Sequence, residues 1–150
     1  MCQPYNTFGL IEAERNNWER AIEYYQTAIK KKSDYAAAYA NMGIAYIQLN
    51  EMNKAVHSFK LAVNLEPENP SNYINLGNAL GMDGKIEEAK KAFEKSIKLN
   101  PDDPDPYYWL GHTLMESGNP EKAVQALHKA FPLNRISLWL TITFLSLMTN

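Results

Sequence analysis

YINLGNALGMDGKIEEAKKAFEKSIKLNP, residues 73–101, contains a set of residues that returns along nearly the whole chain at one fixed interval. Gly9, Gly43, Gly77 and Gly111 are each separated by 34 positions. Four places before each glycine stands a tyrosine (Tyr5, Tyr39, Tyr73, Tyr107), and twelve places after it an alanine (Ala21, Ala55, Ala89, Ala123). Periods of this length mark a solenoid built from one supersecondary unit per repeat. A glycine inside a helix costs roughly 0.5 to 1 kcal/mol relative to alanine. Keeping one in every unit implies a gain from close approach, so the sequence predicts a helix packed directly on the bare backbone at Gly77. Ala89 is expected to supply the matching small surface, with Tyr73, Leu76 and Phe93 filling the space around it. The turn Met82-Asp83-Gly84-Lys85 has its glycine where a helix should stop. Asn100-Pro101 ends the second helix, because the residue before proline is pushed out of helical geometry.

Outward from this unit, charge separates the helices into two kinds. Residues 36–49 (AAAYANMGIAYIQL) and 70–82 (PSNYINLGNALGM) carry no charged side chain, and residues 104–115 carry only Asp105. Residues 86–99 instead alternate Glu87, Glu88, Lys90, Lys91, Glu94, Lys95 and Lys98 around an apolar stripe. Glu87 with Lys91 and Glu94 with Lys98 have the favourable spacing of acid four residues before base. A helix neutral all round should be buried and one with a charged face should meet water, which puts the first helices inside the curve and the second helices outside. Asn16-Asn17 reads as the first turn, followed by a helix over 19–32 whose Lys30, Lys31 and Lys32 complement the negative end of its dipole. Asn69-Pro70, Asp103-Pro104 and Asn119-Pro120 each place a capping residue before a proline at the first helical position. The acidic turn at Asp102, Asp103 and Asp105 lacks the glycine and distal glutamate of an EF-hand loop, and is read as helix capping.

These residues resemble the tetratricopeptide repeat (TPR). The third unit matches through Tyr73, Leu76, Gly77, Leu80, Ala89, Phe93 and Pro101, and the second through Tyr39, Met42, Gly43, Tyr46, Ala55, Phe59 and Pro67. The fourth has Arg135 in place of the proline. The first is the loosest, with Glu12 replacing a large apolar residue and Ser33 the proline. The resemblance implies an all-α fold: a right-handed α-solenoid (a TPR superhelix) of antiparallel helix pairs with a concave groove. It covers residues 2–137 as repeats at about 2–35, 36–69, 70–103 and 104–137. A C-terminal apolar tail, 138–150, lies beyond.

With 150 residues, a net charge of −2 and a pI near 5.9, the chain offers no electrostatic case for nucleic acid or an anionic membrane. One cysteine, Cys2, and no usable Asn-x-Ser/Thr sequon fit a reducing, cytoplasmic compartment. Residues 3–12 already read as helical repeat, so no signal peptide is expected. Residues 136–150, ISLWLTITFLSLMTN, are uncharged and fall short of the roughly 20 needed to span a bilayer. They are expected to form a capping helix over the end of the last repeat. A membrane-associated tail is the alternative, and the Leu-Thr-Ile-Thr-Phe alternation would also suit a strand.

No phosphate-binding glycine loop, HExxH or cysteine pair occurs. His57, His112 and His128 fall at three different repeat positions, so neither metal, cofactor nor catalysis is expected. What remains is the groove. The resemblance implies ligand contacts from first-helix positions: Asn41, Ile44 and Gln48; Ile74, Asn75 and Asn78; Tyr108, Trp109 and His112. Asn6, Leu10, Glu14, Ala40 and Met115 join them. Amides both donate and accept hydrogen bonds, so Asn41 and Asn75 could grip a peptide backbone, similar to the asparagine ladder of O-GlcNAc transferases, or could satisfy neighbouring helices. Of the lysine, asparagine and arginine clamp by which related repeats hold acidic chaperone C-termini, only Asn41 matches, with Leu10, Ser71 and Asn75 at other clamp positions. The expected function is a non-catalytic protein-interaction scaffold that binds a peptide or partner segment, not a chaperone acidic C-terminus. A membrane-tethered assembly factor and a self-associating module are the alternatives.

Overall fold

The computed structural model of the chain describes residues 3–131. Among them are eight helices: α1 (Gln3–Glu14), α2 (Trp18–Lys31), α3 (Ala36–Gln48), α4 (Met52–Leu65), α5 (Pro70–Met82), α6 (Ile86–Leu99), α7 (Asp105–Glu116) and α8 (Pro120–Ala130). They pair in order as hairpins, α1 with α2 through α7 with α8, and each second helix also packs on the first helix of the next hairpin. The fold is an all-α solenoid. The capping-helix and membrane-tail expectations for residues 136–150 lie outside the described residues.

One backbone device makes every hairpin. Asn16, Asn50, Gly84 and Gly118 sit 34 apart and all have positive φ, of 60°, 58°, 75° and 76°. Asparagine and glycine tolerate this left-handed geometry best. The N–H of the following residue then donates back to the helix it has left: Asn17 to Glu12 O at 2.9 Å, Glu51 to Tyr46 O at 2.8 Å, Lys85 to Leu80 O at 2.9 Å and Asn119 to Leu114 O at 2.9 Å. These bonds, with the shorter Gly84-to-Gly81 type beside them, complete a Schellman end at each turn.

The glycine of each first helix is explained by a ring rather than by helix backbone. A Cβ at Gly77 would lie 2.6 Å from Cε1 of Phe93; at Gly43 it would meet Phe59 at 2.7 Å, and at Gly9 it would run into the ring of Tyr25. Phe59, Phe93 and Tyr25 are at most 1 % exposed. The side chain four residues beyond the repeated alanine thus occupies the slot that glycine leaves, so Phe93, not Ala89, fills the contact. In the last hairpin Leu127 replaces the aromatic, and there the carbonyl of Ala123 also lies 3.2 Å from a Cβ built on Gly111. Around Phe59 and Phe93 a continuous core joins α3 to α6 through Ala55, Val56, Ile74, Leu76 and Leu80.

One expected cap holds as drawn: Asn69 accepts from Ser71 N–H at 3.1 Å, with Pro70 opening α5. Asp103 accepts from Asp105 N–H at 3.0 Å, but α7 begins at Asp105, so Pro104 stands at the cap and is not the first helical residue. Asn119 makes no capping bond; its amide donates to Ser117 O at 3.3 Å instead. Polar contacts add to this packing: Ser96 Oγ donates to Pro70 O at 3.0 Å within the third hairpin, and Asn72 Nδ2 donates to Ala62 O at 3.4 Å between the second and third.

Curvature follows from which helices touch. Successive first helices pack on one another, α1 with α3, α3 with α5 and α5 with α7, whereas among the described residues no second helix packs against another. Helices that approach their neighbours line the inside of a bend, and those held apart form the outside. The expected sidedness is therefore observed.

Candidate functional site

Each first helix presents one exposed stripe at i, i+4, i+7 and i+11, the spacing of a single helical face. On α1 it is Gln3, Thr7, Leu10 and Glu14; on α3, Ala37, Asn41, Ile44 and Gln48; on α5, Ser71, Asn75, Asn78 and Met82; on α7, Asp105, Trp109, His112 and Glu116. All sixteen are exposed or half-buried, and the four stripes lie side by side because the helices that carry them pack in register.

Of the expected site residues, Asn41, Ile44, Gln48, Asn75, Asn78, Trp109 and His112 fall on these stripes. Ile74 does not. It is 9 % exposed and belongs to the core, as does its counterpart Ala40 at 9 %, while the counterpart Asn6 is a buried polar residue at 8 %. This position points into the seam between adjacent first helices. Tyr108, the fourth counterpart, is half-buried at the last hairpin. Its ring stands edge-on to Trp109, centroids 5.1 Å apart, and to Phe131, 6.0 Å apart. Trp109 in turn lies 6.2 Å from His112, so these side chains form one aromatic cluster at the α7 end.

The two readings of the asparagines divide between the residues. Asn41 Nδ2 donates to Asn6 Oδ1 at 3.0 Å, so part of its capacity joins the first two hairpins. Asn75 and Asn78 make no side-chain hydrogen bond among the described residues and are half-buried.

Three residues were missed by sequence reasoning. Met82, 60 % exposed, and Glu116 close their stripes; the 34-residue steps from Glu14 through Gln48 pointed to both. Trp18 starts α2 and gave no such signal, since it lies outside the first helices. With Leu10, Ala13, Glu14, Tyr25, Asn41 and Ile44 it lines a cavity of about 350 Å³ at the α1–α3 end of the groove. Burial pushes the Tyr25 phenol in its floor up to about 12. A second cavity, about 340 Å³, opens on the outer side in the gap between α6 and α8, between Glu94 and Lys129.

The inner surface holds no Lys or Arg, since none occurs in α1, α3, α5 or α7. Its exposed acids are Glu14, Asp105 and Glu116, the last 3.7 Å from His112 Nδ1. Glu12, where other repeats have a large apolar residue, is 7 % exposed. Asn17 Nδ2 donates to its Oε2 at 2.8 Å and Arg15 reaches Oε1 at 3.2 Å. The Asn17 bond above all, helped by Arg20 and Arg15, holds its carboxyl below the ordinary range. Among the described residues no group of three or more His, Cys, Asp or Glu is placed to hold a metal. No helix among them is long and apolar enough to cross a membrane.

Paired antiparallel helices on a 34-residue period, with one face of every first helix turned into a common groove, define a helical-hairpin repeat scaffold. Tetratricopeptide repeat models match residues 36–69 and 82–135, and a TPR repeat model matches residues 9–50. The chain belongs to the tetratricopeptide repeat family. Among solved structures it is similar to a crystal structure of MamA at 27 % identity and a TM-score of 0.74, covering 81 % of this chain and 71 % of that one. MamA from Desulfovibrio magneticus RS-1 is 20 % identical with a TM-score of 0.81, covering 90 % and 76 %. The first TPR of Spaghetti (RPAP3), bound to the HSP90 peptide SRMEEVD, is 22 % identical with a TM-score of 0.74, covering 78 % and 93 %. No curated protein sequence matches the chain.

Proposed function

We propose that this chain is a non-catalytic scaffold that binds a segment of a partner protein along the stripes of α1, α3, α5 and α7. The observation that carries it is the unspent chemistry of that surface. Leu10, Ile44, Met82 and Trp109, one on each of the four first helices, stay 37 to 60 % exposed, and the amides of Asn75 and Asn78 lie on the same face. Exposed apolar side chains lining one groove mark an interaction site, and aromatic anchors dominate such interfaces. The RPAP3 repeat holds an acidic peptide; here Leu10, Ser71 and Asn75 stand where a carboxylate clamp would need other groups, and Glu14 and Glu116 would repel it. The partner is therefore not an acidic chaperone C-terminus.

The test is a peptide array probed with the purified chain and with an Ile44→Asp variant of unchanged helical content by circular dichroism. Loss of the bound set supports the groove; an unaltered set would move binding elsewhere on the molecule. Self-association has one observation in its favour. Phe8 and Ile11 are 48 % and 38 % exposed, although their counterparts Leu76, Ala45 and Ala79 are covered, Ala45 by Ala21, Ile22 and Tyr25 of α2. Mass that rises with concentration in light scattering, and falls for Phe8→Ser with Ile11→Ser, would support it.

A further inference from the structure

From the charge of the groove and the shape of its first cavity, we infer that the received segment is cationic. One bulky apolar side chain seats between Leu10, Trp18 and Ile44, and flanking lysines or arginines meet Glu14 at one end and Glu116 at the other. The inference rests on the groove reading above and adds the partner's charge to it.

Charge is sorted across this molecule, not merely absent from part of it. Of the 17 Asp and Glu in the chain, three lie on the inner stripes, leaving 14 against 15 Lys and Arg elsewhere. The groove is thus negative by three formal charges on a body that is otherwise near neutral. Concave surfaces of one sign raise the local concentration of the opposite charge, and an acidic partner would meet like charges there at a cost in both rate and affinity. The outer face, where Lys60 pairs with Glu88 and Lys90 with Glu94, is balanced and has no such preference.

The cavity adds a second constraint. Its walls are Leu10, Ala13, Trp18, Tyr25 and Ile44, and its polar groups are the Glu14 carboxylate and the Asn41 amide. An anchor that fills it must be apolar and large, since about 350 Å³ exceeds a small side chain. A cationic residue beside that anchor can lay its methylenes on the same apolar wall while its head reaches Glu14, the arrangement long basic side chains adopt at such edges. At the other end the edge-on rings of Tyr108 and Trp109 lie next to His112 and Glu116, and offer a basic residue both a π face and a carboxylate.

Three sets of synthetic peptides of about 12 residues, with the same Leu, Phe and Trp positions spaced by Lys, by Asn or by Asp, separate the outcomes in fluorescence anisotropy. The Lys set should bind about three- to tenfold more tightly than the Asn set, the scale of a few partly exposed ion pairs, and the gap should shrink as salt rises. A Glu14→Gln, Glu116→Gln chain should bind both sets alike, while Glu88→Gln on the outer face should change nothing. Equal binding of the Lys and Asn sets, or a preference lost equally in Glu88→Gln, would overturn the inference and leave the groove reading standing. No binding of any set would remove both.

Discussion

The two helices of each hairpin are of similar length and share one core, yet opposite chemistry holds them in place. The inner helices α3 and α5 consist of small, apolar and amide residues, and their glycines admit a ring from the partner helix. The outer helices α2, α6 and α8 alternate charge with an apolar face, and contribute Tyr25, Phe93 and Leu127 to the slots. An inner helix is fixed by shape on several sides, so its tolerance of change is low. An outer helix is fixed along one stripe, and the rest of its surface is nearly free.

Phe93→Ala should sharpen that contrast most. The ring has no exposed surface and fills the Gly77 slot, so its removal should cost about 3 to 5 kcal/mol. A loss below about 1 kcal/mol in urea unfolding would mean that the slot is not held by the ring. Gly77→Ala is the complementary experiment. On an isolated helix the change should be favourable by up to about 1 kcal/mol, but here the new methyl would sit 2.6 Å from the Phe93 ring. We expect a net loss of about 1 to 3 kcal/mol from overpacking. Combining it with Phe93→Ala, which removes the ring the new methyl would meet, should cost less than the two single losses added together. Strict additivity of the two changes would break the proposed coupling.

Much of this was legible from spacing alone. Glycine, tyrosine and alanine at a common interval located the hairpins, and the absence of charge told inner helix from outer. What spacing could not resolve was direction within a turn of helix. Ile74 and Asn75 are neighbours in sequence, yet one closes the seam between first helices and the other faces the groove, because a step of one residue rotates a side chain by about 100°. Trp18 was invisible for a different reason: it reaches the groove from the start of a second helix, which no pattern confined to first helices contains. Asn119 looked like a cap and is not one, since its amide turns back to Ser117 O rather than forward to the helix.

Glu12 tests the inner surface from another side, since it is a carboxylate where shape would favour an apolar group. Its folded value lies below the ordinary 4.5, so its contribution is fully present above that pH. The contribution is lost as pH falls through the lowered folded value, because the unfolded chain then binds the proton more tightly. Acid unfolding should accordingly set in at lower pH for the natural chain than for Asn17→Ala, in which the donor that holds the carboxylate is gone. Coincident acid transitions would show that the Asn17 bond contributes nothing to the first hairpin.

The smallest effect should come from the outer face. Lys60 Nζ and Glu88 Oε2 lie 3.7 Å apart across the gap between α4 and α6, with each side chain about half exposed. Water and salt screen such a pair, and ordering two long side chains offsets the attraction, so Glu88→Ala should change stability by no more than about 0.5 kcal/mol. That value matters because, among the described residues, Glu88 is the one outer-helix acid that joins two successive second helices, which otherwise do not pack together. If the solenoid owed its curvature to ionic ties across the convex side, removing this one would loosen α4 against α6 and lower stability well beyond a surface pair. Measured as a shift in urea midpoint at low and high salt, a small, salt-suppressed change would leave the bend to the inner helices, whose backbones touch. A large, salt-independent loss would transfer that role outward and reverse the contrast between the two helices.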